Sequence, residues 1–358
     1  MNPPKAAMTD IVEVWNGPGR RDAVLTEVRP HHNGFHPAAS RLAFEHWYFD
    51  AHLDTGHVVI GFLIRRRPED PPWSRPWVEM IVYAPDGTRR QVSRRYPHAA
   101  TAFSPDACDV RIGANTARTE HAGGLPIHHL RMREDGIAFD LRFHNEVPSW
   151  MPGKGETRFG ARDSFGWMVG APRAEVRGSI ELDGVWHEVT GRGYHDHNWG
   201  VGDMKKIIER WHWGRLYVAD YSLLYASVLT QARAGGHEIS PLMLAHEGDI
   251  VLSTGETELI EGPARFDETA GRAHPEWIEL RVPGELELRL EVSRVIHAHD
   301  LLDDLPVVRS RLIKPLVRRL VGHPGYFRFE SAFTLTVRTG TGTETRSGTT
   351  LHELVALT

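Results

Sequence analysis

The sequence predicts an all-β protein made of two antiparallel β-barrels in tandem. First, short β-rich runs recur along nearly the whole chain with turn residues between them, and residues 1–200 hold no convincing long amphipathic helix. Second, 358 residues are too many for one ordinary core and suit two domains of about 150 to 200 residues each. Third, Gly191-Arg192-Gly193-Tyr194-His195-Asp196 is weakly echoed by Gly348-Thr349-Thr350-Leu351-His352-Glu353. Each segment follows a strand-like run and ends in His plus an acid, so the echo places two domains of similar design side by side, meeting near residue 205. The expected divisions are a lead-in at 1–40, a first domain at 41–205 and a second at 206–358.

The lead-in is rich in Pro, Gly, Asn and His and should be loosely structured. Residues 42–53 form a strand, Asp54-Thr55-Gly56 turns it, and 57–64 return as a hairpin partner. Further strands are expected at 77–83, 91–96, 107–112, 128–133, 137–145 and 173–182, the second of them after the turn Pro85-Asp86-Gly87. Residues 180–189 read as a hairpin turned at Asp183-Gly184, because Asp-Gly supplies the positive φ angles of a tight hairpin turn. Residues 204–210 could be a short connecting helix. The second series is expected at 211–217, 221–231, 242–245, 250–253, 277–282, 286–295, 326–338 and 349–355. The exception is 311–321, where Leu312, Leu316 and Leu320 recur at helical spacing beside Ile313 and Val317. This helix is expected to plug or bridge a barrel; the alternative is peripheral contact with a membrane surface.

Composition excludes several function classes. Charged residues at 25% and hydrophobic ones at 41% are the values of a soluble globular protein. A net charge of -5 and the lack of Lys/Arg-dense, aromatic-laced segments argue against a nucleic-acid partner. The single Cys108 excludes an intrachain disulfide and a Cys-built zinc site, and fits a reducing cytosol. No apolar run approaches 18 residues and residues 1–10 have no apolar core, so neither a spanning helix nor a signal peptide is expected. The counts of 22 His and 11 Trp depart most from average and lean towards a ligand site.

That site is expected in Gly191 to Gly200, which packs more proton-moving and ligand-holding side chains than any other ten residues here. As an extended strand it puts His195, His197 and Trp199 on one face and Tyr194, Asp196 and Asn198 on the other. One of those faces should look into the fold.

Glu45-His46-Trp47-Tyr48-Phe49-Asp50 before a hairpin, Gly193-Tyr194-His195-Asp196-His197-Asn198-Trp199-Gly200, and Trp211-His212-Trp213-Gly214-Arg215 together resemble the carotenoid 1,2-hydratase (hydroxyneurosporene synthase) and AttH-like family. That family is related to tocopherol cyclases and to some natural-product Diels–Alderases. The resemblance covers roughly 40–358 and is looser in the second half. It implies two lipocalin-like barrels, a hydrophobic small-molecule partner and no organic cofactor. Chemistry differs between relatives on this scaffold. A carotenoid hydratase would be expected to carry an acid on the strand after Trp-x-Trp-Gly. Here 221–227 has one only at its start, Asp220, so cyclisation stands beside hydration.

Hydrating or cyclising a polyene requires a proton delivered to a C=C bond, and a carboxylic acid can supply it if burial keeps it protonated. Asp196 or Glu45 is the candidate acid, with His195 or His197 as its proton partner. Trp47, Trp199 and Trp213, with Tyr225, would line the site and stabilise a carbocation through their ring faces, at roughly 2 kcal/mol or more when desolvated. A pericyclic reaction needs only shape and one donor such as Asn198, Tyr194 or a His to polarise a carbonyl. Plainer roles compete. Asp196 and His197 could close a barrel end by bonding to backbone, Glu45 could pair with an Arg across the sheet, and the Trp residues could be core. A metal at His195 and His197 lacks a third ligand with clear spacing, so none is expected. His31-His32, His128-His129 and His297/His299 read as loop or surface residues, and Arg65-Arg66-Arg67 as a solvated strand end. A non-catalytic carrier of a hydrophobic ligand is the alternative class; the sequence assigns no oligomeric state.

Overall fold

The computed structural model of the chain describes residues 10–121, 123–304, 322–340 and 342–358. The helix expected at 311–321 lies outside the described residues. Among the described residues the helical segments are 3-10 turns of three or four residues, and strands supply the rest of the regular structure. The all-β expectation is met.

A 13-stranded and a 10-stranded antiparallel sheet make up the molecule, with a two-stranded ribbon beside them. Each large sheet closes around strands far apart in sequence. In the first, Ala43–Leu53 pairs with Val185–Val201; in the second, Ile208–Val218 pairs with Gly342–Ala356. The echoed segments occupy matching places, His195 on Val185–Val201 and His352 on Gly342–Ala356.

The first sheet curls until its edge strand Arg89–Arg95 meets Ile127–Glu134, where Arg94 Nη1 lies 3.0 Å from Glu134. The hollow of the curl is packed by Trp47, Phe49, Leu63, Met80, Phe139 and Phe143. The second sheet wraps around Leu223, Leu244, Ile278, Leu288 and Leu335. Burying each such side chain stabilises the fold by about 1.5–3 kcal/mol. The outer faces of the two sheets then pack back to back. Trp150, Trp167, Val169 and Tyr194 of the first meet Leu224, Ala226, Met243 and Ala245 of the second.

Local chemistry explains most element ends. Asp183 and Gly184 have φ of 54° and 83°, as the predicted tight hairpin requires. The strand expected from 173 begins at Asp163. Residues 204–210 are not a helix: one 3-10 turn, Met204–Lys206, precedes a strand that starts at Ile208, since so short a segment cannot recover the cost of helix nucleation. Asn115–Glu120, polar and unmarked in the sequence, is a strand that buries the small Ala117.

Two residues expected at the surface are buried, and the lead-in is more firmly held than expected. Arg66 is not solvated: it is buried, and its guanidinium donates to the carbonyls of Ala43 (2.9 Å) and Leu42 (2.6 Å) at the start of the neighbouring strand. His128 is buried on Ile127–Glu134, with Nε2 3.0 Å from the Gly170 carbonyl and Nδ1 2.8 Å from the Thr119 hydroxyl. The lead-in is sparse in regular structure yet tied to both sheets. Asp22 accepts from Gly153 N and from Ser253 Oγ, and the turn Pro30–Asn33 sets the Asn33 side chain against His195 of the first sheet.

Candidate active site

Val185–Val201 runs between Ala43–Leu53 and Asp163–Leu182, so alternation fixes what each of its side chains meets. His195, His197 and Trp199 point into the first sheet's hollow, opposite Phe49, Trp47 and Glu45. Tyr194, Asp196 and Asn198 point to the outer face, opposite Asp50, Tyr48 and His46. The two predicted sets are found, but the expectation that a single face looks inward is not: the second sheet covers the outer face as well. Asp196 therefore has no direct proton path to His195 or His197, which lie across the sheet from it.

The inner cluster is held by its own hydrogen bonds. His195 takes one from Asn33 Nδ2 at Nε2 (2.9 Å) and donates from Nδ1 to the Tyr48 carbonyl (2.8 Å). Both nitrogens are engaged in a single neutral tautomer, and burial keeps its pKa well below the ordinary value. His197 donates from Nε2 to Glu45 Oε1 at 2.9 Å and stacks on Trp47. Burial lowers its pKa to about 4 and raises that of Glu45 against the pull of His197. Glu45 does not pair with an arginine. Its Oε1 accepts from the His36 backbone N–H at 2.8 Å and faces His36 Nδ1 at 3.3 Å. His36, unmarked by any motif, stacks on Trp199 at 3.9 Å. The ligating atoms of His36, Glu45 and His197 lie within 4.8 Å of one another, but they already serve each other as donors and acceptor.

The outer cluster is different. Asp196 is buried and takes three donors: the Tyr194 hydroxyl at 2.8 Å, Trp167 Nε1 at 3.2 Å and Asn198 Nδ2 at 3.0 Å. Desolvation outweighs these bonds and pushes the carboxyl up to about 7. Beside it Tyr48 donates to Asp50 Oδ2 at 2.8 Å, and Arg215 of the second sheet holds the same carboxylate through two nitrogens. Burial opposes the charge on Asp50, yet Arg215 holds its pKa below the ordinary value. Trp213 meets the Tyr194 ring edge-to-face at 5.5 Å.

Sequence reasoning thus named Tyr194, Asp196, Asn198 and Trp213, which the structure brings together, and missed Tyr48, Asp50, Trp167 and Arg215. A signal for Arg215 existed: it continues the Trp211, Trp213 alternation. Glu45, His195, His197, Trp47 and Trp199 form the separate inner cluster. Tyr225 joins neither; it packs in the second sheet's core against Gly214.

His46, Phe62, Asn198, Trp211 and Trp213 are half-buried. His46 Nδ1 has no partner, and burial lowers the pKa of this imidazole to about 3. Two open cavities lie elsewhere. One of about 110 Å³ is lined by His212, Ser227 and Glu261, and one of about 570 Å³ by Arg281, Glu285 and Thr343.

Comparison with known proteins adds three findings. A family model described as AttH-like matches residues 28–304. A hydroxyneurosporene dehydrogenase of Chlorobaculum tepidum is 31% identical over 87 residues, which span 23% of this chain and 23% of that protein. Among solved structures, an AttH of Nitrosomonas europaea superposes with a TM-score of 0.61 at 15% identity, covering 94% of this chain and 98% of that one. CghA with bound Sch210972 gives 0.62 at 15% identity (93% and 94%). Kievitone hydratase from Nectria haematococca gives 0.58 at 14% (96% and 98%). At these identities the likeness is one of fold.

Proposed function

This chain belongs to the AttH-like family, and from that premise we propose that it is an enzyme acting on a hydrophobic, unsaturated small molecule by proton transfer at the seam between its sheets. The substrate class is a polyene, terpenoid or polyketide, and the outcome is hydration or ring closure. One observation carries this reading: Asp196 is a buried carboxyl, pushed up to about 7, set among Tyr194, Trp167 and Trp213.

At neutral pH a large fraction of such a carboxyl holds its proton and can give it to a C=C bond. Tyr194, Trp167 and Asn198 then stabilise the carboxylate left behind. The resulting carbocation is stabilised by the half-buried Trp213 ring face, and the neighbouring Asp50–Arg215 pair is charge-balanced and does not repel it. In hydration water adds to the cation and the oxonium ion returns a proton to the Asp196 carboxylate; in cyclisation a second double bond adds and the ring cation loses a proton to the same carboxylate. Protonation and addition are redox-neutral, so the scheme calls on no organic cofactor. Kievitone hydratase and CghA share the fold, which supports the reading. A carrier without catalysis is the alternative, but it has little use for an uncharged acid in an apolar seam.

Asp196→Asn tests this. Ligand affinity should persist while turnover falls by about 10²–10⁴, the usual contribution of general acid catalysis. Turnover that survives both Asp196→Asn and Glu45→Gln would remove both acids from the reaction.

A further inference from the structure

We propose that Arg215, supplied by the second sheet, is a positioning residue for the Asp196 carboxyl, so that the reaction centre is complete only where the two sheets dock. The proposal rests on the reading of Asp196 as the acid. Arg215 is itself fixed. Its guanidinium engages both oxygens of Asp50, with Nη1 to Oδ2 at 2.8 Å, and the two side chains are 11% and 1% exposed. Tyr48 secures the same carboxylate from the other side. A bidentate Arg–carboxylate pair is planar and directional, so the plane of the guanidinium is set.

That guanidinium lies over the Tyr194 ring, 4.6 Å from its centroid. Trp213, two residues earlier on the same strand, closes the ring's edge. Tyr194 is thus held by two side chains of Ile208–Val218, and its hydroxyl donates to Asp196 Oδ2 at 2.8 Å. If the ring turns, this bond is lost and the carboxyl keeps only those from Trp167 and Asn198. A cation on the ring face also polarises the phenol towards donation, which favours the carboxylate formed after proton transfer.

The groups facing Asp196 come from four strands. Tyr194 and Asn198 are on its own, Trp167 is on Asp163–Leu182, Tyr48 and Asp50 are on Ala43–Leu53, and Arg215 is on Ile208–Val218, where Tyr217 acts on Tyr194. Arg328 and Glu353 stand behind Tyr48. Asp50 opposes ionisation of Asp196 and Arg215 favours it, so a substitution that keeps the charge isolates positioning from field.

The test is carboxyl titration of the full-length chain by infrared difference spectroscopy, with Asp196→Asn identifying the band; it needs no substrate. Arg215→Lys keeps the charge but loses the planar seat, and should raise the Asp196 midpoint by about one unit. Tyr194→Phe should raise it similarly. The combined variant should shift no further than either alone, because both act through one hydrogen bond. If Arg215→Lys fails to fold, Arg215→Met with Asp50→Leu removes both charges together and should give the same upward shift. A midpoint unchanged from wild type in the folded variant, or shifts that simply add, overturns the proposal. Failure of Asp196 as acid would show separately, as turnover persisting in Asp196→Asn with the titration result intact.

Discussion

Asp196 couples function to stability through its proton. Its carboxyl rises from the ordinary 3.8 to about 7 on folding, so the folded state holds a proton that the unfolded chain releases near pH 4. Between those values the folded state binds more protons, and stability falls as pH rises, by up to about 4 kcal/mol across the window. Asp196→Asn removes this dependence. Thermal melts should show the variant gaining on wild type from pH 4 to pH 8, and a gap that does not change with pH would mean the carboxyl is ionised in the fold. Turnover should decline above about pH 7 as the acid form is lost. Single residues were legible only in part. The density of proton-moving groups in Gly193–Gly200 pointed to Asp196, and strand alternation sorted its neighbours. Burial of the outer face, which gives the carboxyl its shifted affinity, depends on the second sheet. His36 reaches its site through contacts no local pattern records, and the alternation that marked Arg215 did not say what it would meet.

Strands and turns were the most legible level. Trp77–Tyr83, Ile137–Asn145 and Trp277–Val282 were bounded by pattern alone, because alternation and flanking turn residues are properties of near neighbours. Asn115–Glu120 escaped because only a small alanine and an asparagine mark its inner face. Close packing between elements could not be read. Gly170 on Asp163–Leu182 has His195 against it: an added Cβ would stand 2.4 Å from His195 Cδ2 and 3.1 Å from Asn33 Nδ2. Gly170→Ala should cost about 1–3 kcal/mol, read as a lower urea midpoint. Gly166→Ala would drive a Cβ to 2.1 Å from the Trp199 indole and should cost a similar amount. It should also change tryptophan emission; an unshifted midpoint would mean that the indole has room to move.

For the whole molecule, the Asp50–Arg215 pair at the join of the sheets is the feature to test. Removing one partner leaves a buried charge, so Arg215→Ala should destabilise by about 3–5 kcal/mol, whereas Arg215→Met with Asp50→Leu should cost much less. Chemical denaturation of the two decides it, and equal losses would mean that the charges are effectively solvated. The folded pKa of Asp50 lies below its ordinary 3.8. Its contribution is therefore present above that pH and disappears as acid takes the pH down through the folded value. The paired variant should be less sensitive to acid than wild type. No described helix is long and apolar enough to cross a membrane.

By itself the sequence determined an all-β chain, the faces of its central strand, its Asp-Gly turn and the segment richest in acid–base groups. These depend on backbone sterics and on side chains a few positions apart. The tertiary structure decided which faces meet, that the imidazoles and Asp196 are parted by the sheet, and that Arg215 reaches Asp50 across 165 residues of chain. The physical reason is that alternation states only which residues share a face. What covers that face, and hence whether a carboxyl there keeps its proton, is set by the surface another sheet brings to it.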